Sequence, residues 1–236
     1  MKTCRASWLA LLACLLLIAG CRGNAPDEQT SKQPQTAAPA GSSEGGAPER
    51  PKIVALGDSL TAGLGLLENQ AYPALLQKKL DTDGYPFEVV NAGVSGDTSA
   101  GGLRRLDWAL EGEVRIMIVA LGANDGLRGL SVDEMKSNLG EIIRHAKEKS
   151  IVVILAGMEA PPNYGPEYTT SFRKAFQDLA REQRVLYVPF LLANVAGNPA
   201  LNQGDGIHPN PEGAAIIADT LFKVLRPVLD QMSAAS

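Results

Sequence analysis

Val54-Ala55-Leu56-Gly57-Asp58-Ser59-Leu60-Thr61-Ala62-Gly63 carries an apolar, strand-like run into an acid and a hydroxyl, with Gly65 close behind. A strand that only filled a core would close on a plain turn. One reading makes Asp58 or Ser59 the N-cap of a helix, a role that suits short polar side chains. The other places Ser59 as a nucleophile at the carboxyl end of a buried strand. That second reading needs partners elsewhere: a base, an orienting acid and oxyanion donors.

Outward from this stretch, short runs rich in Val, Ile and Leu alternate with amphipathic segments. Residues 52–56, 87–91, 114–121, 151–156 and 185–189 read as strands buried on both faces, as in a parallel sheet. Between them, residues 71–81, 99–110, 132–149 and 169–183 space apolar side chains three or four apart. In the third, Met135, Leu139, Ile142, Ile143 and Ala146 form one stripe, while Glu134, Lys136, Glu141, Arg144 and Lys147 form the wet face. A last helix is expected over 211–232, with Asn210 as cap and Pro211 at its first position. Strict alternation of this kind predicts an α/β fold: a three-layer α/β/α sandwich on a five-stranded, parallel, doubly wound, flavodoxin-like sheet. Ligands of such sheets bind outside the carboxyl ends of the strands. The loops at Ser59, at Asn91–Thr98 and at Gly122–Gly126 are therefore expected on one rim.

The chain has two histidines. His145 lies beside Arg144 and Lys147 on the third helix and reads as a solvated helix residue. His208 sits in Gly204-Asp205-Gly206-Ile207-His208-Pro209-Asn210-Pro211, where Gly206 and Pro209 disfavour helix and proline pushes His208 to an extended backbone. A tight loop brings the Asp205 carboxylate within reach of one ring nitrogen while the other faces Ser59. A capping turn before the last helix is the plainer alternative. A metal site is a weak one, because no cysteine remains in the mature chain and no second histidine has ligand spacing. Neither metal nor cofactor is expected. For the oxyanion, Gly96 offers a backbone N–H, Asn124 its side-chain amide and Ser59 its own N–H.

Gly57-Asp58-Ser59-Leu60, Ser95-Gly96-Asp97-Thr98, Gly122-Ala123-Asn124-Asp125 and Asp205-x-x-His208 resemble, in order, the four blocks of the SGNH (GDSL) hydrolases. The resemblance spans roughly residues 53–229 and is nearest to the bacterial thioesterase I/lysophospholipase/arylesterase group. It implies Ser59 as nucleophile, His208 as base and Asp205 as orienter, with Ser59, Gly96 and Asn124 as the oxyanion hole. The substrate it implies is an acyl ester or thioester, lysophospholipid included. Thr61 stands where the G-x-S-x-G elbow of α/β-hydrolases has its second glycine, so the site is not of that type. Ala123 departs from the glycine frequent in the group. Two other readings remain open: a carbohydrate O-deacetylase using the same site, and a surface lipoprotein that only binds. An acyl groove would separate them, with Leu64, Leu66, Leu67 and residues 158–164 as its candidate walls.

The amino-terminal end reads as an address. Lys2 and Arg5 precede an apolar run over 6–19, too short to span a bilayer comfortably, which closes on Ile18-Ala19-Gly20-Cys21. This ending resembles a bacterial lipoprotein signal over 1–20, with Cys21 lipidated. Of the three cysteines, Cys4 and Cys14 would leave with the signal, so the mature chain has no thiol for a disulfide or metal site. Losing Lys2 and Arg5 takes the formal charge from −4 to −6, which makes nucleic acid an unsuitable partner. Residues 22–50 contain no Leu, Ile, Val or aromatic side chain and read as a disordered tether, its ends roughly 30 Å apart. One hydrolase domain is then expected over 51–232. It would sit in the bacterial cell envelope, held by the lipid on Cys21 and facing the periplasm or the cell surface.

Overall fold

The structure, a computed structural model, describes residues 50–234. The signal, Cys21 and nearly all of the tether lie outside the described residues.

The chain runs β1 (Lys52–Gly57), α1 (Ser59–Ala62), α2 (Tyr72–Asp83), β2 (Glu88–Gly93), α3 (Ser99–Arg104), α4 (Leu106–Ala109), β3 (Val114–Ala120), α5 (Ala123–Leu127), α6 (Val132–Glu148), β4 (Val152–Ala156), α7 (Gly165–Gln183), β5 (Leu186–Val188) and α8 (Pro211–Ala234). The five strands form one sheet in the order β2-β1-β3-β4-β5, and every pair is parallel. Winding reverses between the first and second crossovers. The right-handed rule therefore places α2 on one face and α3 on the other. Contacts agree: α2 packs on α8, while α3 and α7 pack on α6. The point of reversal lies between β1 and β3, where a doubly wound sheet opens its crevice.

The inner strands carry the core. Ile53 to Leu56 of β1 and Ile116 to Ala120 of β3 are buried, and each Ile or Leu sealed there contributes about 1.5–3 kcal/mol. The outer strands depart from the expectation of burial on both faces. Val89 and Val90 of β2 are half-buried and Asn91 is exposed, because an edge strand has a neighbour on one side only. At the other edge β5 shrinks to three residues, with Leu186 open to solvent.

Helix α6 buries the stripe read from its spacing, and Ser131 caps it by accepting from the Glu134 N–H. Asn210 caps α8 through the Gly213 N–H, as its position before Pro211 requires. The helix expected over 99–110 breaks at Arg105 into α3 and α4. The Arg105 guanidinium accounts for the break: it turns inward to the carbonyls of Gly57 and Ala92, both at 2.8 Å, and to Asp97 at 2.6 Å. One side chain thus ties together the carboxyl ends of β1 and β2.

Candidate active site

Ser59 is the first residue of α1, so its N–H has no acceptor within the helix. The two opening readings of Asp58-Ser59 do not exclude each other. Asp58 is the N-cap, accepting from the Leu60 N–H at 3.0 Å, and Ser59 faces outward beyond it. Glycine makes the fit possible. A Cβ on Gly57 would stand 1.9 Å from Thr61 Oγ1, and one on Gly93 2.2 Å from the Ala62 nitrogen, so α1 nests in the ends of β1 and β2. Thr61 is then fixed by a 2.8 Å hydrogen bond with the buried Tyr72 hydroxyl.

His208 reaches Ser59 from the segment before α8. Its loop is closed by an antiparallel bridge between Asn202 and Pro209 and by the Gln203 N–H donating to the His208 carbonyl at 2.7 Å. Gln203 also donates to the Leu64 carbonyl, clamping this loop to the end of α1. His208 Nε2 lies 2.9 Å from Ser59 Oγ, and Nδ1 lies 2.6 Å from Asp205 Oδ2. A carboxylate can only accept, so Nδ1 carries the proton and the Nε2 lone pair faces the serine hydroxyl. The other Asp205 oxygen accepts from the N–H groups of Ile207 and His208 at 2.9 and 3.0 Å. The ring bond, then those two backbone bonds, hold this half-exposed carboxyl far below the usual carboxylate range.

On the far side of Ser59, Asn124 lies in the first turn of α5, a helix where the sequence suggested a loop. Its amide donates one proton to the Asp97 carbonyl at 2.9 Å, and Asp58 Oδ2 is a second, longer acceptor at 3.5 Å, so the other proton is only weakly engaged at the cleft. Asp125 is buried and accepts from both the N–H and the hydroxyl of Ser99 at 2.8 and 2.6 Å, locking α5 to α3. Gly96, in the loop between β2 and α3, has φ +86°, a backbone that L side chains rarely adopt, and its carbonyl is held by Arg128. Ser59, Gly96, Asn124 and His208 thus border one cleft of about 580 Å³. His145 is elsewhere, on α6 and paired with Asp107 at 3.1 Å. Among the described residues no three His, Cys, Asp or Glu side chains converge as a metal-ligand set.

Leu64 and residues 158–162 line the cleft as expected, but Leu66, Leu67, Asn163 and Tyr164 do not. Its apolar wall also includes Leu127, Phe190, Leu192 and Ile207. The last three follow β5, and their placement after a strand's carboxyl end was the signal that could have found them.

Asp58 is fully buried, and burial pushes its carboxyl up to about 6, partly offset by its bond from Leu60 and by the charge of His208. The unfolded chain would titrate near 3.9, so the native state holds the extra proton between about pH 4 and 6, and ionised Asp58 costs about 3 kcal/mol above that. Asp58→Asn is expected to raise the urea midpoint at pH 8, with the gain fading toward pH 4. Its Oδ2 also lies 3.5 Å from the Asn124 amide, so the same substitution should lower turnover by setting donor against donor. Unfolding curves at the two pH values, with rates on a soluble ester, check both halves.

Residues 55–216 match the model of the GDSL-like lipase/acylhydrolase family. Esterase TesA of Pseudomonas aeruginosa is 40% identical over 178 residues, covering 75% of this chain and 89% of that protein. The thioesterase 1/protease 1/lysophospholipase L1 of Escherichia coli is 38% identical over 182 residues, 77% of this chain and 86% of that one. The psychrotrophic esterase EstA from Pseudoalteromonas, solved as inhibited by monoethylphosphonate, superposes with a TM-score of 0.72 at 35% identity. That match covers 76% of this chain and 98% of EstA.

Proposed function

The chain belongs to the GDSL-like lipase/acylhydrolase family and is an ester hydrolase, and we propose that Ser59 is its nucleophile, His208 its base and Asp205 the carboxylate that orients the base. One observation carries this assignment. The unbroken hydrogen-bonded chain from Asp205 through His208 to Ser59 ends at the floor of the cleft. In the first half-reaction Ser59 Oγ bonds to the substrate carbonyl carbon while His208 Nε2 takes the hydroxyl proton. The carbonyl electrons move onto oxygen, which faces the N–H of Ser59, the N–H of Gly96 and the Asn124 amide proton that only the 3.5 Å contact with Asp58 engages. Collapse expels the alcohol or thiol, which leaves with the proton from His208. Water then repeats the sequence on the acyl-serine and releases the acid. Asp205 stabilises the imidazolium throughout and, with its carboxyl held so low, takes no proton itself.

The substrates are carboxylic esters or thioesters, the range covered by the names of the two relatives. The apolar walls of the cleft favour an acyl chain over a sugar. A p-nitrophenyl ester series from acetate to palmitate, with acyl-CoA and lysophospholipid alongside, tests this. kcat/KM is expected to rise beyond acetate before falling. Hydrolysis confined to acetate would return the deacetylase reading.

We also propose that the protein is a lipoprotein of the cell envelope, anchored through Cys21. What supports this is the sequence alone: basic residues, a short apolar run and small residues before a cysteine. Cys21→Ser is expected to abolish labelling by a fatty-acid analogue in cells. Undiminished labelling would refute the anchor.

A further inference from the structure

Among the described residues nine large hydrophobic side chains are exposed, and seven of them sit at the carboxyl end of the sheet. Leu64, Leu127 and Ile207 stand at the mouth of the cleft itself. Outside it, Leu67 follows β1, Val94 follows β2 and Leu130 follows β3, exposed to 68%, 41% and 40%. Tyr164 closes the ring after β4, its hydroxyl bonded to the Leu127 carbonyl. The other two, Trp108 before β3 and Leu186 at the start of β5, are at the opposite end. Isolated exposed hydrophobics are ordinary, whereas a ring gathered from four separate loops around one opening marks an interaction surface.

Charge decides the kind of partner. The rim loops contain no lysine, Arg128 is their sole cation, and Glu68 beside Leu67 is an exposed acid that would further disfavour anionic headgroups. Glu159 is held by Arg173 at 2.6 and 2.7 Å, and Asp97 by Arg105. From Pro189 to Asn210 the one acid is Asp205, already engaged by His208. Such a rim has apolar surface to insert and no basic cluster with which to seek anionic headgroups. A second copy seated there would also stopper the cleft, an objection that rests on the hydrolase reading. We infer that this rim is a docking surface for a zwitterionic phospholipid bilayer, seated with the cleft mouth toward the acyl chains.

The chain enters the domain at the opposite end, before Lys52. The residues between Cys21 and Arg50 reach about 90 Å when extended, against a domain diameter of roughly 40 Å. An anchor at Cys21 therefore leaves the rim free to turn onto the same membrane.

The core among the described residues lies wholly between Ile53 and Leu229, and EstA is covered to 98% by the matching part of this chain. A protein of residues 22–236, without signal or lipid, thus holds the complete fold and isolates the rim's contribution. It is expected to sediment with phosphatidylcholine vesicles, equally at low and high salt, and Ser59→Ala should do the same, separating docking from hydrolysis. The triple variant Leu67→Ser/Val94→Ser/Leu130→Ser, none of it in the cleft lining, should lose about tenfold or more in partitioning. Its rate on soluble p-nitrophenyl acetate and its melting temperature should be unchanged. If the triple variant melts early, Leu67→Ser alone should still lower partitioning measurably. The proposal is overturned if wild type stays in solution, if the variants sediment like wild type, or if binding needs anionic lipid and disappears in salt. A wild-type dimer that the triple substitution dissociates, with no vesicle binding, would overturn it equally.

Discussion

Replacing Ser59 by alanine is expected to lower kcat on a soluble ester by roughly 10⁵–10⁶-fold, because it removes the atom that bonds to substrate. The oxyanion donors and the cleft would remain, so a residual rate above that of water is expected, with KM little changed. The fold should be unaffected. Ser59 contributes a half-buried hydroxyl at the start of α1, while the cap is the Asp58 side chain and the packing is that of Leu60 and Thr61. Steady-state kinetics with circular dichroism on the same sample separates the two. Retention of more than a few per cent of the activity would remove Ser59 from the reaction.

His208→Ala should cost nearly as much, since the serine hydroxyl would keep its proton and the leaving group would find none. The double variant with Ser59→Ala is expected to be little worse than either single one, because the members act as a unit. Independent, multiplying losses would place the two residues in different steps. His145→Ala is the internal control. Its imidazole reaches from α6 to an exposed Asp107 of α4, a contact worth at most about 1 kcal/mol, and its loss should leave turnover intact.

The site was legible in the sequence because its chemistry sits at strand ends. Strands β1 and β3 announce themselves by the apolar runs Ile53–Leu56 and Ile116–Ala120, and the polar blocks after β1, β2 and β3 meet where the sheet reverses direction. Asp205 and His208 are three apart in a loop too rich in glycine and proline for helix, which left few ways to arrange them. Other features depend on contacts that local pattern does not carry. At four and five residues α1 and α5 are too short for periodicity to show. The break between α3 and α4 follows from Arg105 bonding to carbonyls of two strands distant in sequence. The half-open faces of β2 and β5 follow from their places at the sheet edges, which composition does not reveal. The cleft wall after β5 belongs to a segment with little regular structure, and Phe190, Leu192 and Ile207 find their common surface only once the chain has folded.

The proposed acyl transfer to Ser59 can be tested directly. Mixing the enzyme with excess p-nitrophenyl ester, quenching in acid within the first turnover and digesting should give the peptide containing Ser59 heavier by one acyl group. The amount should match the initial burst of p-nitrophenol, and no such peptide should form in His208→Ala on that timescale. A stoichiometric burst of p-nitrophenol with an unmodified Ser59 peptide, or the acyl group on another side chain, would contradict the mechanism.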